Sequence, residues 1–185
     1  MKIGIDISQT AYGTGVGNFT LKLVENLLEN DTKNKYVLFF SSMRRQMPKI
    51  KNVERAEIKK FRFPPTFLDF LWNKLHIIPI EWLIGDIDVF VTSDWTEPPA
   101  KAKKATILYD LIIYKYPEES HHKTEFNPLK LLISPNIVEI QKRKLKWVKK
   151  ESDKIICISE SSKKDAEEIL GIEPEKLSVV YPGYE

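Results

Sequence analysis

The chain has 185 residues, of which 42% are hydrophobic, and its 29 basic and 26 acidic residues give a net charge of +3. This length and composition are enough for one domain with a substantial core, and two domains are not expected. A net charge this small does not require a nucleic acid partner, and none is predicted.

The single cysteine, Cys157, excludes an internal disulfide and any zinc site built from several cysteines. It lies in the apolar run 154–158, which predicts a buried, unreactive thiol rather than a nucleophile. The chain opens on a short apolar run and not on a signal peptide, and no apolar segment is long enough to span a bilayer. We therefore expect a cytoplasmic protein.

Strand and helix signals alternate along the chain. Short apolar runs, typical of strands buried on both faces of a sheet, predict strands at 2–7, 36–40, 53–58, 88–92, 105–109, 154–158 and 177–180. Helices are expected at 18–30 with Asn18 as N-cap, at 66–84 with an interruption at Pro79, at 136–150, and at 162–170 with Ser162 as N-cap and a stop at Gly171. This alternation predicts an α/β fold, a three-layer Rossmann-like domain with a mostly parallel sheet.

Ligands of such sheets bind at the carboxyl ends of the strands, so the loops that follow the strands form the candidate site. These loops are 9–17, 93–99, 109–116 and 159–162. The first carries three glycines directly before a predicted helix. Glycine lets a backbone approach a ligand closely, and the N–H groups and dipole at a helix start favour a phosphate. A tight turn that needs glycine for its own geometry explains the same residues equally well.

The glycine spacing excludes two nucleotide-binding motifs. Asn18 stands where the third glycine of the dinucleotide motif G-x-G-x-x-G would be, and the chain holds no P-loop motif G-x-x-x-x-G-K-[ST]. A carboxylate that would grip a ribose is also missing after the second strand, where the chain has Phe39–Ser42. A dinucleotide-dependent oxidoreductase or epimerase is therefore a disfavoured alternative.

Polar side chains follow two further strands. Tyr109 and Asp110 can form a proton-transfer pair, although an Asp that caps a turn is the commoner explanation. Asp94 can bind a substrate or simply shape its loop, and Trp95 beside it can stack on a sugar ring. The three histidines have no spacing typical of a metal site, and no metal is predicted.

A basic helix contains Lys142, Arg143, Lys144, Lys146, Lys149 and Lys150. Its lysines and arginine are most simply a solvated face, and the aromatic segment 61–84 is most simply core. Together the two segments also fit peripheral contact with an anionic membrane surface, which would be the inner face of the membrane for a cytoplasmic protein. Both interpretations stay open.

Four stretches in this order resemble the N-terminal, acceptor-side domain of retaining GT-B glycosyltransferases, of the glycosyltransferase family 4-like, group 1 type. They are residues 1–19, 106–117, 153–165 and 179–183. The last stretch is similar to the crossing into the family's second domain. The resemblance therefore implies a Rossmann-like N-terminal domain at 1–180, the start of the crossing at 181–185, and a C-terminal donor domain that is absent from this sequence.

The resemblance implies a hexosyltransferase that moves a sugar, with retention, from a nucleotide diphosphate sugar to a glycan, lipid or small-molecule acceptor without a cofactor or metal. Tyr109 stands where the family usually has His, and with Asp110 it would line the catalytic side. The residues implied to approach the donor phosphates or the acceptor are Gly13, Gly15, Val16, Gly17 and Asn18. Those implied to shape the acceptor pocket are Asp94, Trp95, Ser159 and Ser161.

Without its C-terminal domain the chain is not expected to turn over. The other function left open is a stand-alone Rossmann-like module that binds a phosphorylated or sugar ligand and catalyses nothing. Tyr109 in place of the family's His favours that alternative.

Overall fold

The computed structural model describes residues 1–92, 95–116 and 137–183. Its apolar runs form seven strands: β1 (Lys2–Asp6), β2 (Lys35–Ser41), β3 (Ala56–Phe61), β4 (Val89–Thr92), β5 (Lys103–Leu108), β6 (Lys154–Cys157) and β7 (Leu177–Val179). Every pairing between them is parallel, and the order in the sheet is β3-β2-β1-β4-β5-β6-β7. This is the doubly wound order of Rossmann-like domains, so the predicted fold class is confirmed.

The described helices are α1 (Gly15–Asn30), α2 (Pro65–Leu68), α3 (Glu81–Ile84), α4 (Ile112–Lys115), α5 (Ile137–Glu151) and α6 (Glu160–Leu170). A π-helical stretch, Asp69–Lys74, continues α2 without a break and is called the π segment below. Short 3₁₀ turns lie at Ser8–Tyr12, Val53–Arg55 and Pro174–Lys176.

Alternation of side chains along the strands builds a core on each face of the sheet. In β2, Leu38 packs in the cluster that contains Val24 and Leu28 of α1. The next residue, Phe39, packs on the opposite face, in the cluster that contains Trp72 of the π segment. Leu108 and Cys157, at the other end of the sheet, pack in the cluster that contains residues of α5 and α6. The sheet is therefore covered by helices on both faces.

Two helix starts differ from the prediction. Thr14 is the N-cap of α1, because its Oγ1 accepts a hydrogen bond from the N–H of Gly17 at 3.2 Å. Asn18 therefore lies inside the first turn. Ser159 is likewise the N-cap of α6, since its Oγ accepts from the N–H of Ser162 at 3.1 Å. In both places two residues that can cap lie within about one turn of each other, and the earlier one takes the role.

Two other boundaries also moved. The predicted helix at 66–84 is interrupted as expected near Pro79, but over a longer stretch: the π segment ends at Lys74 and α3 begins at Glu81. His76 and Ile78 between them adopt the left-handed backbone region, with φ of 54° and 63°. The third strand begins at Ala56 instead of 53, after a 3₁₀ turn. The predicted stop of α6 is confirmed, because Gly171 is its C-cap with φ of 60°.

Gly17 has a packing role that Gly15 does not share. A Cβ added at Gly17 would lie 2.6 Å from the carbonyl oxygen of Gln9, whereas a Cβ added at Gly15 would meet no described atom within 4 Å. Gly13 has φ of 62°, a conformation that favours glycine. The fold thus explains the glycines at 13 and 17 and leaves the one at 15 without a packing reason.

We expect Gly17→Ala to lower the free energy of unfolding by about 1–3 kcal/mol, because the new methyl group forces α1 away from the Gln9 carbonyl. Gly15→Ala is the matched control, and it should leave stability unchanged or slightly raised, since alanine favours the helix. Urea denaturation followed by circular dichroism measures both. Equal stabilities of the two variants would contradict this packing role.

The thiol of Cys157 is buried, and burial raises its pKa to about 11. At pH 8 it should therefore react with Ellman's reagent only when the chain unfolds, since the thiolate is the nucleophile. We expect no fast reaction in buffer and one equivalent of released chromophore in guanidinium chloride. A fast reaction of the folded chain would show that β6 opens.

Candidate functional site

The strand order reverses between β1 and β4, and the carboxyl ends of these strands bracket a crevice. The chain leaves β1 toward β2 and β3, and after β4 it continues to the other side through β5, β6 and β7. In open parallel sheets such a switch point is where ligands bind. The start of α1, the loop after β4 and the end of β5 all lie at this edge.

A cavity of about 170 Å³ opens at this edge. α1 contributes Val16 to its wall, and Trp95 comes from the loop after β4. The other polar residues of the lining are Tyr109, Asp110, Gln141 and Lys144. The cavity is thus lined by four residues that the sequence predicts at the site and by two from α5 that it does not, Gln141 and Lys144.

The helix start at the cavity offers backbone N–H groups. The N–H of Gly17 is used by the Thr14 cap, and that of Asn18 donates to the carbonyl oxygen of Thr14 at 2.8 Å. The N–H groups of Gly15 and Val16 precede the first intrahelical bond, so the helix itself offers them no acceptor. Of the predicted phosphate-binding residues, Val16 lines the cavity, and the N–H groups of Gly15 and Val16 are the ones without an acceptor in α1.

Tyr109 and Asp110 each have a structural contact. The Tyr109 hydroxyl lies 3.3 Å from Oγ1 of Thr20 in α1, and its ring meets Phe19 edge-on at 5.6 Å. Asp110 accepts a hydrogen bond from the N–H of Ile112, two residues further on, at 3.1 Å, in the turn that precedes α4. These contacts fit the turn-capping interpretation, and the catalytic role of the pair stays a prediction.

Lys144 is the functional candidate that the sequence analysis missed. It was grouped with a solvated basic face, yet its residue is only 2% exposed. Its charge also acts on the buried Asp6 at the end of β1. Burial, with a smaller effect of Glu97, raises the pKa of the Asp6 carboxyl, while hydrogen bonds from Ser8 and the Lys144 charge lower it. The net shift of the Asp6 pKa is upward. A signal was present, since Lys144 lies four residues from both Ile140 and Val148, which are buried.

A buried polar network positions Trp95. Asn73 of the π segment donates to the Trp95 carbonyl oxygen at 3.0 Å and accepts from the N–H of Glu97 at 2.9 Å. Glu97 is fully buried, and its carboxylate lies 2.9 Å from Nζ of Lys104 and accepts from Thr92 at 2.7 Å. The loop after β4 is therefore tied to two strands and to the π segment.

Other predicted site residues are not brought to the cavity. Ser159 serves as the α6 cap, Ser161 is exposed, and neither lines the cavity. Gly13, Gly15 and Asn18 are exposed, Gly17 is buried, and none of the four lines the cavity. Asp94 lies outside the described residues.

The described residues hold neither a group of metal-binding side chains nor the carboxylate typical of a dinucleotide site after β2. His121 and His122 lie outside the described residues, while His76 stacks on Trp147 with ring centroids 3.6 Å apart. Among the residues that the structure describes, no three His, Cys, Asp or Glu side chains form a metal-binding group. At the end of β2, the Ser41 hydroxyl donates to the carbonyl oxygen of Phe63 at 3.0 Å. A serine occupied in this way does not replace the carboxylate that holds a ribose in dinucleotide enzymes.

Comparisons with known proteins add a distant structural likeness. No family model and no curated protein matches the chain. Among solved structures the chain is similar to Alr3699/HepE of Anabaena, determined in complex with UDP, with a TM-score of 0.48 and 10% sequence identity. The match covers 100% of this chain and 44% of that protein, so this chain spans less than half its length. The strand order of the sheet, not this similarity, establishes the fold.

Variants of the buried ion pair Lys104–Glu97 test how much the pair contributes to the free energy of unfolding. Lys104→Met should lower the free energy of unfolding by about 3–5 kcal/mol, because it leaves the Glu97 carboxylate buried without a counter-charge. The double variant Lys104→Met/Glu97→Gln should recover much of that loss. Lys103→Met, at an exposed neighbouring position, is the control. Chemical denaturation measures all three, and a double variant less stable than the single one would contradict the ion-pair role.

Proposed function

We propose that this chain is the acceptor-side half of a glycosyltransferase that uses a nucleotide diphosphate sugar. The observation that carries the proposal is the start of α1 at the switch-point cavity. There Gly15 has no packing reason to be glycine, and the N–H groups of Gly15 and Val16 have no acceptor within the helix. A diphosphate oxygen or an acceptor hydroxyl is a suitable partner for these groups.

In the proposed reaction the bond between the anomeric carbon and the diphosphate breaks, and a bond to an acceptor hydroxyl oxygen forms with retention. The products are the glycosylated acceptor and a nucleoside diphosphate. Stabilisation of the negative charge on the departing diphosphate would supply much of the catalysis, and the N–H groups at Gly15 and Val16 would share in it. Lys144 places a positive charge at the same cavity.

The remaining residues would serve the acceptor. Trp95 offers an aromatic face on which a sugar ring can stack, and Asp110 and Gln141 offer hydrogen-bond acceptors for sugar hydroxyls. Tyr109 would hold α1 against β5 through Thr20 and present its ring edge to the cavity. The proposal includes a hexosyl donor, no metal, a cytoplasmic location, and a C-terminal Rossmann-like domain that closes over the cavity and excludes water.

The first experiment is a binding measurement on the 185-residue chain. Backbone amide NMR spectra would be recorded during titration with UDP- and GDP-sugars and with the free nucleoside diphosphates. We expect the amide signals of Gly15 and Val16 and the indole signal of Trp95 to shift, because Val16 and Trp95 line the cavity and Gly15 directly precedes Val16 at the start of α1. Gly15→Ala should weaken this binding about tenfold, since its methyl group occupies the approach of the ligand. Glu29→Ala, at the far end of α1, is the matched control.

The second experiment tests transfer. The chain would be joined after Gly183 to the C-terminal domain of a GT-B glycosyltransferase, and release of UDP or GDP would be measured with wild type, Gly15→Ala and Tyr109→Phe. We expect release by the fusion, none by the chain alone, and a loss of about tenfold in Gly15→Ala. Tyr109→Phe shows whether the hydroxyl contributes.

The second candidate function is a non-catalytic module that binds a sugar or phosphate ligand. It is favoured by the contacts that occupy Tyr109 and Asp110. Ligand-dependent shifts at Gly15 in a folded fusion that releases no nucleoside diphosphate from any donor would select this function. Absence of shifts from every nucleotide ligand would overturn the proposed use of the cavity.

A further inference from the structure

The segment that follows β3 exposes large apolar side chains. Phe67 and Phe70 are 43% and 46% exposed, and Leu75 and Ile77 are 46% and 48% exposed. The same segment is anchored from beneath by Trp72, which is fully buried. The apolar side chains on its outer face therefore lie outside the core. Contiguous exposed apolar residues of this kind mark surfaces that bind a partner.

Helix α5 lies directly beside this segment. Arg143 donates to Asp69 at 2.7 Å, and four residues later the Trp147 indole N–H donates to the carbonyl oxygen of Asn73 at 2.8 Å. Four residues further, Glu151 pairs with Nε2 of His76 at 2.9 Å. Contacts at each turn show that the two elements run side by side and share one outer surface.

The charge of this shared surface is positive. Its exposed basic residues are Lys74, Lys142, Lys146, Lys149 and Lys150. Two of its acidic groups are already paired, Asp69 with Arg143 and Glu151 with Lys104 and His76. Glu139 is the exposed acidic residue of α5. Lys146 and Lys150 also lie over the Trp147 ring, at 5.9 and 4.9 Å from its centre.

We propose that this aromatic–basic surface, formed by Phe67, Phe70, Lys74, Leu75 and Ile77 with Lys142, Lys146, Lys149 and Lys150, docks the chain on an anionic lipid bilayer. Apolar side chains beside a row of lysines suit the boundary between acyl chains and negative headgroups. A second copy of the chain suits it less, because self-pairing would bring the lysines of one copy against those of the other. No helix in the described part of the chain is long and apolar enough to cross a membrane, so the contact would be peripheral.

The surface is distinct from the cavity of the proposed function. Lys144 and Gln141 of α5 line the cavity, whereas Lys142 and Lys146 are exposed to solvent. Membrane docking and ligand binding therefore use different side chains of one helix. Either proposal can fail without the other, because vesicle binding needs no nucleotide and the NMR titration needs no lipid.

The test is sedimentation of the chain with vesicles. With phosphatidylcholine vesicles that contain phosphatidylglycerol we expect the chain to pellet, and with phosphatidylcholine alone we expect it to stay in the supernatant. Salt at about 1 M should release it, because the Debye length at that concentration is about 3 Å and the attraction between lysines and headgroups is screened beyond it. Retention on neutral vesicles, or no binding to either kind, would overturn the proposal.

Variants separate the two contributions. Phe67→Ser/Phe70→Ser and Lys146→Glu/Lys150→Glu should each reduce binding about tenfold or more, because they remove insertion and headgroup attraction respectively. Met43→Ser and Lys33→Glu/Lys49→Glu make the same kinds of change at exposed positions elsewhere and should bind like wild type. Circular dichroism melts confirm that each variant is folded.

Size-exclusion chromatography with light scattering tests whether a second copy of the chain binds this surface instead. A dimer that Phe70→Ser converts to a monomer, with no vesicle binding, would assign the surface to a second copy and overturn the proposal. Equal binding by the test and control pairs would overturn it as well.

Discussion

The carboxylate of Glu97 is fully removed from solvent, and the cost of burying its charge has to be offset inside the protein. Lys104 of β5 supplies the counter-charge at 2.9 Å, Thr92 of β4 donates to the carboxylate, and Asn73 of the π segment accepts from its backbone N–H. Nζ of Lys104 also donates to the carbonyl oxygen of Pro98 and to the carboxylate of Glu151 at the end of α5. β4, β5, the π segment and α5 are thereby linked through Glu97 and Lys104, and a movement of β5 would leave the buried carboxylate without its counter-charge.

The geometry of the cavity follows from that constraint. Trp95 lies two residues before Glu97, and its carbonyl oxygen is held by the same Asn73. Its side chain lies between the cavity of about 170 Å³ and a smaller one of about 20 Å³ beside Asp6. On the opposite wall, Thr20 meets the Tyr109 hydroxyl at 3.3 Å and accepts from Gln9 at 3.1 Å, which ties α1 to the ends of β1 and β5. Both walls are fixed before a ligand arrives, and a preformed site loses less entropy on binding.

Most of the fold could be predicted from the sequence, because parallel strands buried on both faces are nearly continuous apolar runs. The start of α1 could not, because Thr14 and Asn18 are both good caps, and only the structure shows that Thr14 accepts from the N–H of Gly17. The sequence places four residues in loops at one edge of the sheet, and in the structure they line one cavity: Val16, Trp95, Tyr109 and Asp110. Their roles stay predictions. Lys144 was not predicted at the cavity, since a lysine within a basic run suggests solvent, although its spacing from the buried Ile140 and Val148 places it on the inner face of α5. Ser159 caps α6 and Ser161 is exposed inside its first turn, so neither lines the cavity, and their place in an acceptor pocket stays a prediction.

The spacing of the lysines along α5 slightly destabilises the helix. Lys142, Lys146 and Lys150 repeat every four residues on an exposed face, and each such like-charge pair destabilises a helix by roughly 0.2–0.5 kcal/mol. The helix is nevertheless held by its buried stripe and by its contacts with the π segment, so two such pairs are a small loss for the domain. An anionic surface opposite these lysines would remove the repulsion, and the helix would then gain stability on docking. The same reasoning disfavours a positively charged partner at this face, since it would add to the repulsion that the helix already carries.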